Sequence, residues 1–367
     1  MKVVKLDIKD KSYKIIIKTN VFKDVVSHHI SNYKNSKAII ITDKNVAKYY
    51  KQKFTFLFEK SKIKNQIIII KPGEASKDLV LIKKVAEKLL KTGVKRNDVI
   101  YALGGGIVGD FSGFLASIIL RGIRFIQVPT TLLAQVDSSV GGKTGVNTVN
   151  GKNLIGSFYQ PSAVFIDPNT LKTLSKKEFL SGYSEVLKYS LINDKKFFLW
   201  LDLNYKKINS RNPSTMINVI SKCCIKKAKI VKIDEKEKNY RMLLNLGHTF
   251  AHAIEKDINY KIRHGEAVSV GLLMAIKLSI LLGITKPNIY NLIESHYNKL
   301  KLPTSLKSLD AKRKWLPKSL IRNMLSDKKR TDDNIKFILL KDIGKAFIKN
   351  KVNKNKIALA IKEFVND

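Results

Sequence analysis

Over the first 170 positions, short runs of β-branched residues alternate with longer stretches whose apolar residues keep a helical period. KAIIITD (37–43) and NQIIIIKPGE (65–74) are runs of the first kind, and Pro72-Gly73 closes the second. In SKDLVLIKKVAEKLLKTG, residues Ile82, Val85, Ala86, Leu89 and Leu90 keep the i, i+3, i+4 spacing of one buried face, and Gly93 is placed to end the helix. DVIYALGGGIVGD predicts a strand running into glycines, and RFIQVPTT (124–131) and SAVFID (162–167) predict two more. Such alternation implies a mostly parallel, Rossmann-like sheet covered by helices. After about residue 170 the spacing becomes helical and turn-bounded β-branched runs become rare. The expected organisation is an α/β domain over 1–170 and an all-α domain over 171–367, with the boundary near DPNTLKTLSKKE. A chain of 367 residues is longer than one core usually serves, which agrees. The basic tail from Lys341 reads as a solvated helix.

Charge adds less than its size suggests. The formal net charge is +39, from 69 Lys+Arg against 30 Asp+Glu, a balance that normally points to nucleic acid. Here the lysines are spread from end to end among Ile and Asn, as in NKNKIALAIKEF, a composition that A/T-rich codons produce. Aromatic residues are not interleaved with the basic ones as a base-stacking platform requires. No nucleic-acid partner is expected, whereas an anionic small substrate suits the charge. The two cysteines, Cys223 and Cys224, are adjacent and cannot form a useful cross-link, which points to a reducing, cytoplasmic setting. The N-terminus has no apolar region ending in small residues. AVSVGLLMAIKLSILLGI (267–284) is barely long enough to span a bilayer and carries Lys277, so it reads as a buried helix and no membrane partner is expected.

Two features carry chemistry. Gly104-x-Gly106-x-x-Gly109 follows a strand and opens a predicted helix, the context in which backbone without Cβ atoms and free N–H groups can receive a pyrophosphate. The motif comes after at least two earlier strands, and Arg124 stands where an acid is usual, so a plain strand–helix turn remains an alternative. Asp43, at the end of an earlier strand, could hold ribose hydroxyls instead. The second feature is a concentration of histidine: three of the six fall within LLNLGHTFAHAIE and RHGEA, at His248, His252 and His264. His248 and His252 share a helical face at the spacing of a metal pair, and hydrogen-bonded structural histidines are the other reading.

The segment RGIRFIQVPTTLLAQVDSSVGGKTGVNTVNGKNLIGSFYQP is polar where a core element would be apolar, and a loop of that length is usually functional. Taken with GGGIVGD, GYSEVLKYSLI, RMLLNLGHTFAHAIE and HGEAVSVGL, in that order between about Asp43 and Leu340, the chain resembles the 3-dehydroquinate synthase family of sugar-phosphate cyclases. The resemblance implies an N-terminal NAD-binding α/β domain, a C-terminal α-helical domain with zinc (cobalt a possible substitute), and a homodimer. It also implies a substrate, 3-deoxy-D-arabino-heptulosonate 7-phosphate, converted to 3-dehydroquinate and phosphate.

The metal ligands so implied are Glu185, His248 and His264, with His252 as a proton-transfer or phosphate contact. Implied substrate contacts are Arg121, Asp137, Lys143, Lys152, Asn153, Lys188, Lys227, Arg241, Asn245 and one of Lys328 or Lys329, with Lys328 preferred. Implied nucleotide contacts are Asp43, Glu74, Lys77, Gly105, Gly106, Ile107, Asp110, Thr130, Thr131, Lys143, Lys152, Thr173 and Glu178. In a chain this basic a given lysine is ordinarily a solvated surface group, and only its place in a motif distinguishes it. Lys188 follows Glu185 by three residues, which on a helix puts both on one face. The family usually has Gly at 251 and 239 and Ala at 184, where this chain has Ala251, Asn239 and Ser184. Asn239 is expected to keep a left-handed turn. Rival readings are cyclases with inosose, valiolone or amino-dehydroquinate products, a metal-dependent polyol dehydrogenase of the glycerol dehydrogenase type, and a basic binding protein without catalysis.

Overall fold

The computed structural model describes residues 1–8, 11–237, 239–327 and 335–366. The chain divides into two compact units, Met1–Ser175 with Pro213–Lys236, and Lys176–Asn212 with Glu237–Asp367.

The first unit contains β1 (Lys2–Leu6), β2 (Tyr13–Ile17), α1 (Phe22–Asn32), β3 (Ala38–Asp43), α2 (Lys44–Lys60), β4 (Asn65–Ile70), α3 (Leu79–Lys91), β5 (Val99–Gly104), α4 (Gly106–Ile118), β6 (Arg124–Pro129), β7 (Lys143–Thr148), β8 (Gly151–Phe158) and β9 (Ala163–Ile166). Its main sheet has the order β1-β2-β9-β6-β5-β3-β4, parallel except for the β1–β2 edge. The inner strands β3, β5, β6 and β9 carry near-continuous apolar runs because both their faces are covered. On β3, Ile39 and Ile41 pack with Ile82, Val85 and Leu89 of α3 and with Phe111 of α4. Ile40 points the other way, toward Phe22 and Val25 of α1 and Phe54 and Phe58 of α2. This is the period of two expected of a strand.

The chain steps outward from β3 to β4, then returns to place β5 on the other side of β3. That reversal is a topological switch point, where open α/β sheets bind ligands outside the carboxyl ends of their strands. Asp43 and Gly104 end the two strands that flank it. The polar segment after β6 forms a π-helical turn, Ala134–Ser138, and then the antiparallel hairpin β7–β8. The hairpin does not show in the sequence because its positions are too polar for an apolar alternation; most of β8 is exposed.

The second unit contains α5 (Lys176–Asn193), α6 (Lys195–Leu203) and α7 (Tyr205–Asn209). The next helix, α8 (Pro213–Ile233), belongs to the first unit although it lies beyond the boundary drawn from the sequence. It packs on β1 and β2, and Cys224 Sγ lies 3.4 Å from the Gln135 carbonyl. Both cysteines are buried and neither is in a disulfide. Helical periodicity showed that one face of α8 is buried, but not what buries it.

The second unit resumes with α9 (His248–Asp257), α10 (His264–Leu281), α11 (Pro287–Leu300), α12 (Leu306–Leu309), α13 (Pro317–Asp327), β10 (Phe337–Asp342), β11 (Lys345–Lys349) and α14 (Lys354–Asn366). It is helix-rich rather than all-α, because β10 and β11 form an antiparallel hairpin. α10 is long and apolar enough to cross a membrane, yet 72% of it is buried within the structure, with α5, α9, α14 and β10 against it. The tail is not a solvated helix: it starts as strand, and Ile357, Ala360, Ile361 and Phe364 of α14 are buried. Its lysines had masked an i, i+3, i+4 apolar face. Ile361→Ala is therefore expected to lower stability by about 2–4 kcal/mol in urea unfolding, whereas a solvated tail would show almost no change.

Candidate active site

In the second unit, Glu185 and Lys188 lie one turn apart on α5 and their side chains form a buried ion pair. Glu185 is fully buried. Burial alone would raise its carboxyl, but the Lys188 ammonium, and then His248 and His264, hold it well below the usual carboxylate range. His248 Nε2 and His264 Nε2 each stand 3.5 Å from Glu185 Oε1. One donor atom from each residue can be chosen so that all three lie within 4.8 Å of one another. Two donors on a tetrahedral zinc with bonds near 2.1 Å are about 3.4 Å apart, so the spacing suits such an ion. Neither oxygen of Glu185 receives a hydrogen bond among the described residues. A buried carboxylate matched by a single ammonium is still incompletely satisfied, and a cation between it and two imidazoles would satisfy all three groups.

The imidazoles differ. Burial and the Lys188 charge push His248 down to about 4, so it is neutral at pH 7. Burial acts to lower His264 too, but Glu185 and Glu255 outweigh it and carry this ring up to about 10. His248 Nδ1 lies 3.1 Å from the Leu246 carbonyl, and His264 Nδ1 lies 3.3 Å from Glu255 Oε2. Both Nε2 atoms thus face Glu185.

Two close helix crossings bring these residues together. α10 meets α5 where Gly265 lies against Ser181; a Cβ on Gly265 would overlap the Ser181 carbonyl. The Gly265 N–H donates to Ser181 Oγ at 3.1 Å. α10 meets α9 where Gly271 lies against the backbone of Gly247 and Ala251. Ala251 fits there because Gly271 opposite has no side chain: a Cβ on Gly271 would stand only 3.3 Å from the Ala251 methyl.

Other residues singled out in this unit gather nearby in sequence rather than in one cluster. His252 is exposed one turn after His248, its ring 5.6 Å from that of His248 and 6.3 Å from that of His264. Arg241 is buried on the 3₁₀ turn Tyr240–Asn245. Asn245 Nδ2 donates to Glu237 Oε1 at 3.0 Å. Asn239 is not left-handed (φ −144°); that backbone falls instead at Glu237, with φ 57°. Glu178 accepts from Arg263 Nε at 2.6 Å. Lys328 and Lys329 lie outside the described residues.

In the first unit, Lys77 Nζ donates to Asp110 Oδ2 at 2.6 Å and also to Asn153 Oδ1. Asn147 joins this group, donating from Nδ2 to Glu74 Oε1 at 2.8 Å and accepting from the Asn153 amide at 3.0 Å. Burial raises the Asp110 carboxyl against the opposing pull of Lys77. Gly105, Gly106 and Ile107 open α4, and no side chain caps that helix, which leaves its first N–H groups for an anion. The Thr130 amide donates to the Gly104 carbonyl at 2.9 Å, so the strand ends sit side by side. The Thr131 hydroxyl accepts from the Ala134 amide at 3.2 Å. Asp43 Oδ1 is engaged in capping α2. Thr173 Oγ1 meets the Tyr50 hydroxyl at 2.6 Å. Lys227 Nζ donates to both the carbonyl and the Oδ1 of Asp137 at 2.8 Å. Lys143 begins β7, and Lys152 and Asn153 lie on β8. Arg121 closes a 3₁₀ turn with φ 66°.

Profiles described as 3-dehydroquinate synthase N-terminal and C-terminal match residues 67–181 and 182–330. The chain is 39% identical over 359 residues to a 3-dehydroquinate synthase of Rhizobium leguminosarum bv. trifolii, covering 96% of this chain and 94% of that one. It is 41% identical over 345 residues to that of Clostridium kluyveri, covering 94% of each. The chain belongs to the 3-dehydroquinate synthase family.

A solved relative, 2-deoxy-scyllo-inosose synthase complexed with carbaglucose-6-phosphate, NAD+ and Co2+, superimposes with a TM-score of 0.87 at 28% identity over 99% of this chain and all of that one. A probable glycerol dehydrogenase from Sinorhizobium meliloti (14% identity, TM-score 0.66, 96% of each chain) shares the fold alone. Within this family setting, Glu255, Asn147 and Glu237 are among the polar residues that the sequence alone does not single out. Glu255 had a signal: it follows His248 by seven residues and so shares its helical face.

His264→Ala is expected to abolish stoichiometric zinc, because two protein ligands rarely hold such an ion; full zinc content by elemental analysis would remove His264 from the ligand set. Gly265→Ala is expected to weaken zinc binding at least about tenfold by forcing α10 off α5. Competition with a chromophoric chelator reads this, and unchanged affinity would mean that the crossing does not set the site.

Proposed function

We propose that the protein converts 3-deoxy-D-arabino-heptulosonate 7-phosphate to 3-dehydroquinate and inorganic phosphate, with NAD and a zinc ion, or cobalt in its place, as catalysts that are not consumed. The observation that carries this reading is the buried Glu185 carboxylate, paired with Lys188 and facing two imidazole nitrogens. Relatives near 40% identity over almost the whole chain support the reaction assigned.

Glu185, His248 and His264 would hold the metal, and the opening of α4 with Glu74, Lys77, Asp110, Thr130 and Thr131 would hold the nucleotide. Held there, the metal would supply Lewis-acid polarisation of a substrate hydroxyl and NAD a reversible hydride acceptor for its carbon. The remaining work falls to this chain's own side chains. Lys188, already paired with Glu185, supplies positive charge beside the metal ligands, where an oxygen losing its proton gains negative charge. His252 is exposed one turn beyond His248, so it can exchange a proton with substrate or with the departing phosphate. Arg241 is buried, and the planar fork of its guanidinium suits a substrate carboxylate. Lys227, fixed by two bonds to Asp137, presents a cation that cannot swing away. Asn245 is oriented by Glu237 and Asn153 by Lys77. Lys143, Lys152 and Arg121 complete the cationic set for a phosphorylated substrate.

We place the enzyme in the cytoplasm as a homodimer. The buried thiols, neither of them in a disulfide, fit a reducing compartment, and the exposed Leu154, Ile155 and Phe158 on β8 offer apolar area for a second copy.

The test is a phosphate-release assay with the heptulosonate phosphate, trace NAD and zinc, with and without chelator. Phosphate and 3-dehydroquinate are expected to form in equal amounts, with no steady rise in absorbance from reduced nicotinamide, and chelation is expected to stop the reaction. Steady accumulation of reduced nicotinamide would indicate a dehydrogenase instead. A different cyclic product would indicate another sugar-phosphate cyclase.

A further inference from the structure

We infer that Glu255 is a positioning residue of the metal site: its carboxylate fixes the ring of His264 by accepting the Nδ1 proton, so that the Nε2 lone pair is directed at the ion. The inference rests on the metal site proposed above and assigns a role to a fourth residue that is not a ligand.

Three observations place Glu255 there. Its side chain is almost wholly buried, with 3% of its surface exposed. A buried carboxylate persists only where it has a specific partner. Its Oε2 stands 3.3 Å from His264 Nδ1, while the opposite ring nitrogen stands 3.5 Å from Glu185 Oε1. The imidazole is therefore held between two carboxylates on different helices, one for each nitrogen. Only the Glu185 side forms the cluster with His248, so Glu255 is behind the ring and not beside the ion.

The need for such a tether follows from where His264 sits. It is the first residue of α10, and the extended backbone of Arg263 precedes it. A side chain at the start of a helix has no preceding turn to pack against and keeps more rotamer freedom. His248 also begins a helix, but there Nδ1 meets the carbonyl of Leu246, two residues earlier in the same chain segment. His264 has a side chain of α9 in that place. α9 thus carries a ligand at His248 and, two turns later on the same face, the carboxylate that orients the ligand on α10. A metal-ligating histidine commonly donates its other N–H to a carboxylate, which raises the basicity of the coordinating nitrogen and fixes its aim.

The test compares the full-length protein with Glu255→Gln and Glu255→Leu. Each is stripped of metal and titrated with zinc against a chromophoric chelator. Each is then loaded with Co2+ and its visible spectrum recorded. Zinc affinity is expected to fall about ten- to a hundredfold in the leucine variant. The glutamine variant, which keeps an acceptor oxygen but no charge, is expected to lie between that and the unaltered protein. The Co2+ bands are expected to shift in both. A merely structural role would alter unfolding without moving these bands. Should the leucine variant fail to fold, the glutamine variant gives the same reading alone. Equal affinities and superimposable Co2+ spectra would overturn the role of Glu255. Failure of the unaltered protein to bind zinc would overturn the metal site and this inference together.

Discussion

A carboxylate taken out of water at Glu185 is the constraint around which the second unit is arranged. Its charge is met from three directions, by Lys188 on its own helix and by imidazoles on α9 and α10. Such a meeting needs three helices closer together than ordinary side chains allow. The glycine contacts at Gly265 and Gly271 supply that approach, so backbone lies against backbone where the site is built. The apolar length of α10 then has a plain purpose. Buried among α5, α9, α14 and β10, it is the post against which both crossings are set.

The first unit solves a different problem. It must leave backbone N–H groups unengaged at a point where an anion can reach them. The parallel sheet does so at its switch point, where β5 ends in glycines and α4 starts without a side-chain cap. Around it lies a network of Lys77, Asp110, Asn153, Asn147 and Glu74, in which almost every polar group holds another in place. Polar side chains that share their bonds this way do not have to be reorganised when a ligand arrives.

Much of this was legible in the sequence and the remainder was not, for identifiable reasons. The strands β3 to β6 and β9 announce themselves because a sheet covered on both faces needs uninterrupted apolar runs. The β7–β8 hairpin does not, because most of β8 is exposed and carries no alternation. α14 is hidden because Lys354, Lys356 and Lys362, in and beside the run from Ile357 to Phe364, mask a regular apolar face in any count of charge. Among the site residues, the three histidines stand out by scarcity. Glu185 is one acid among many, and only its place in a family motif marked it. The partnership of Glu255 with His264 was open to helical geometry, but spacing alone names a face and not the group that faces it.

The position of α8 has a consequence for how the molecule is made. The polypeptide leaves the first unit at Ser175, builds three helices of the second, and comes back at Pro213 before leaving again after Lys236. During synthesis the sheet therefore emerges without the helix that covers β1 and β2, and must wait for it while unrelated helices leave the ribosome. Neither unit is a contiguous stretch of chain. A fragment cut at Ser175 would carry the sheet with that apolar surface bare, so no single cut in the gene separates the two units.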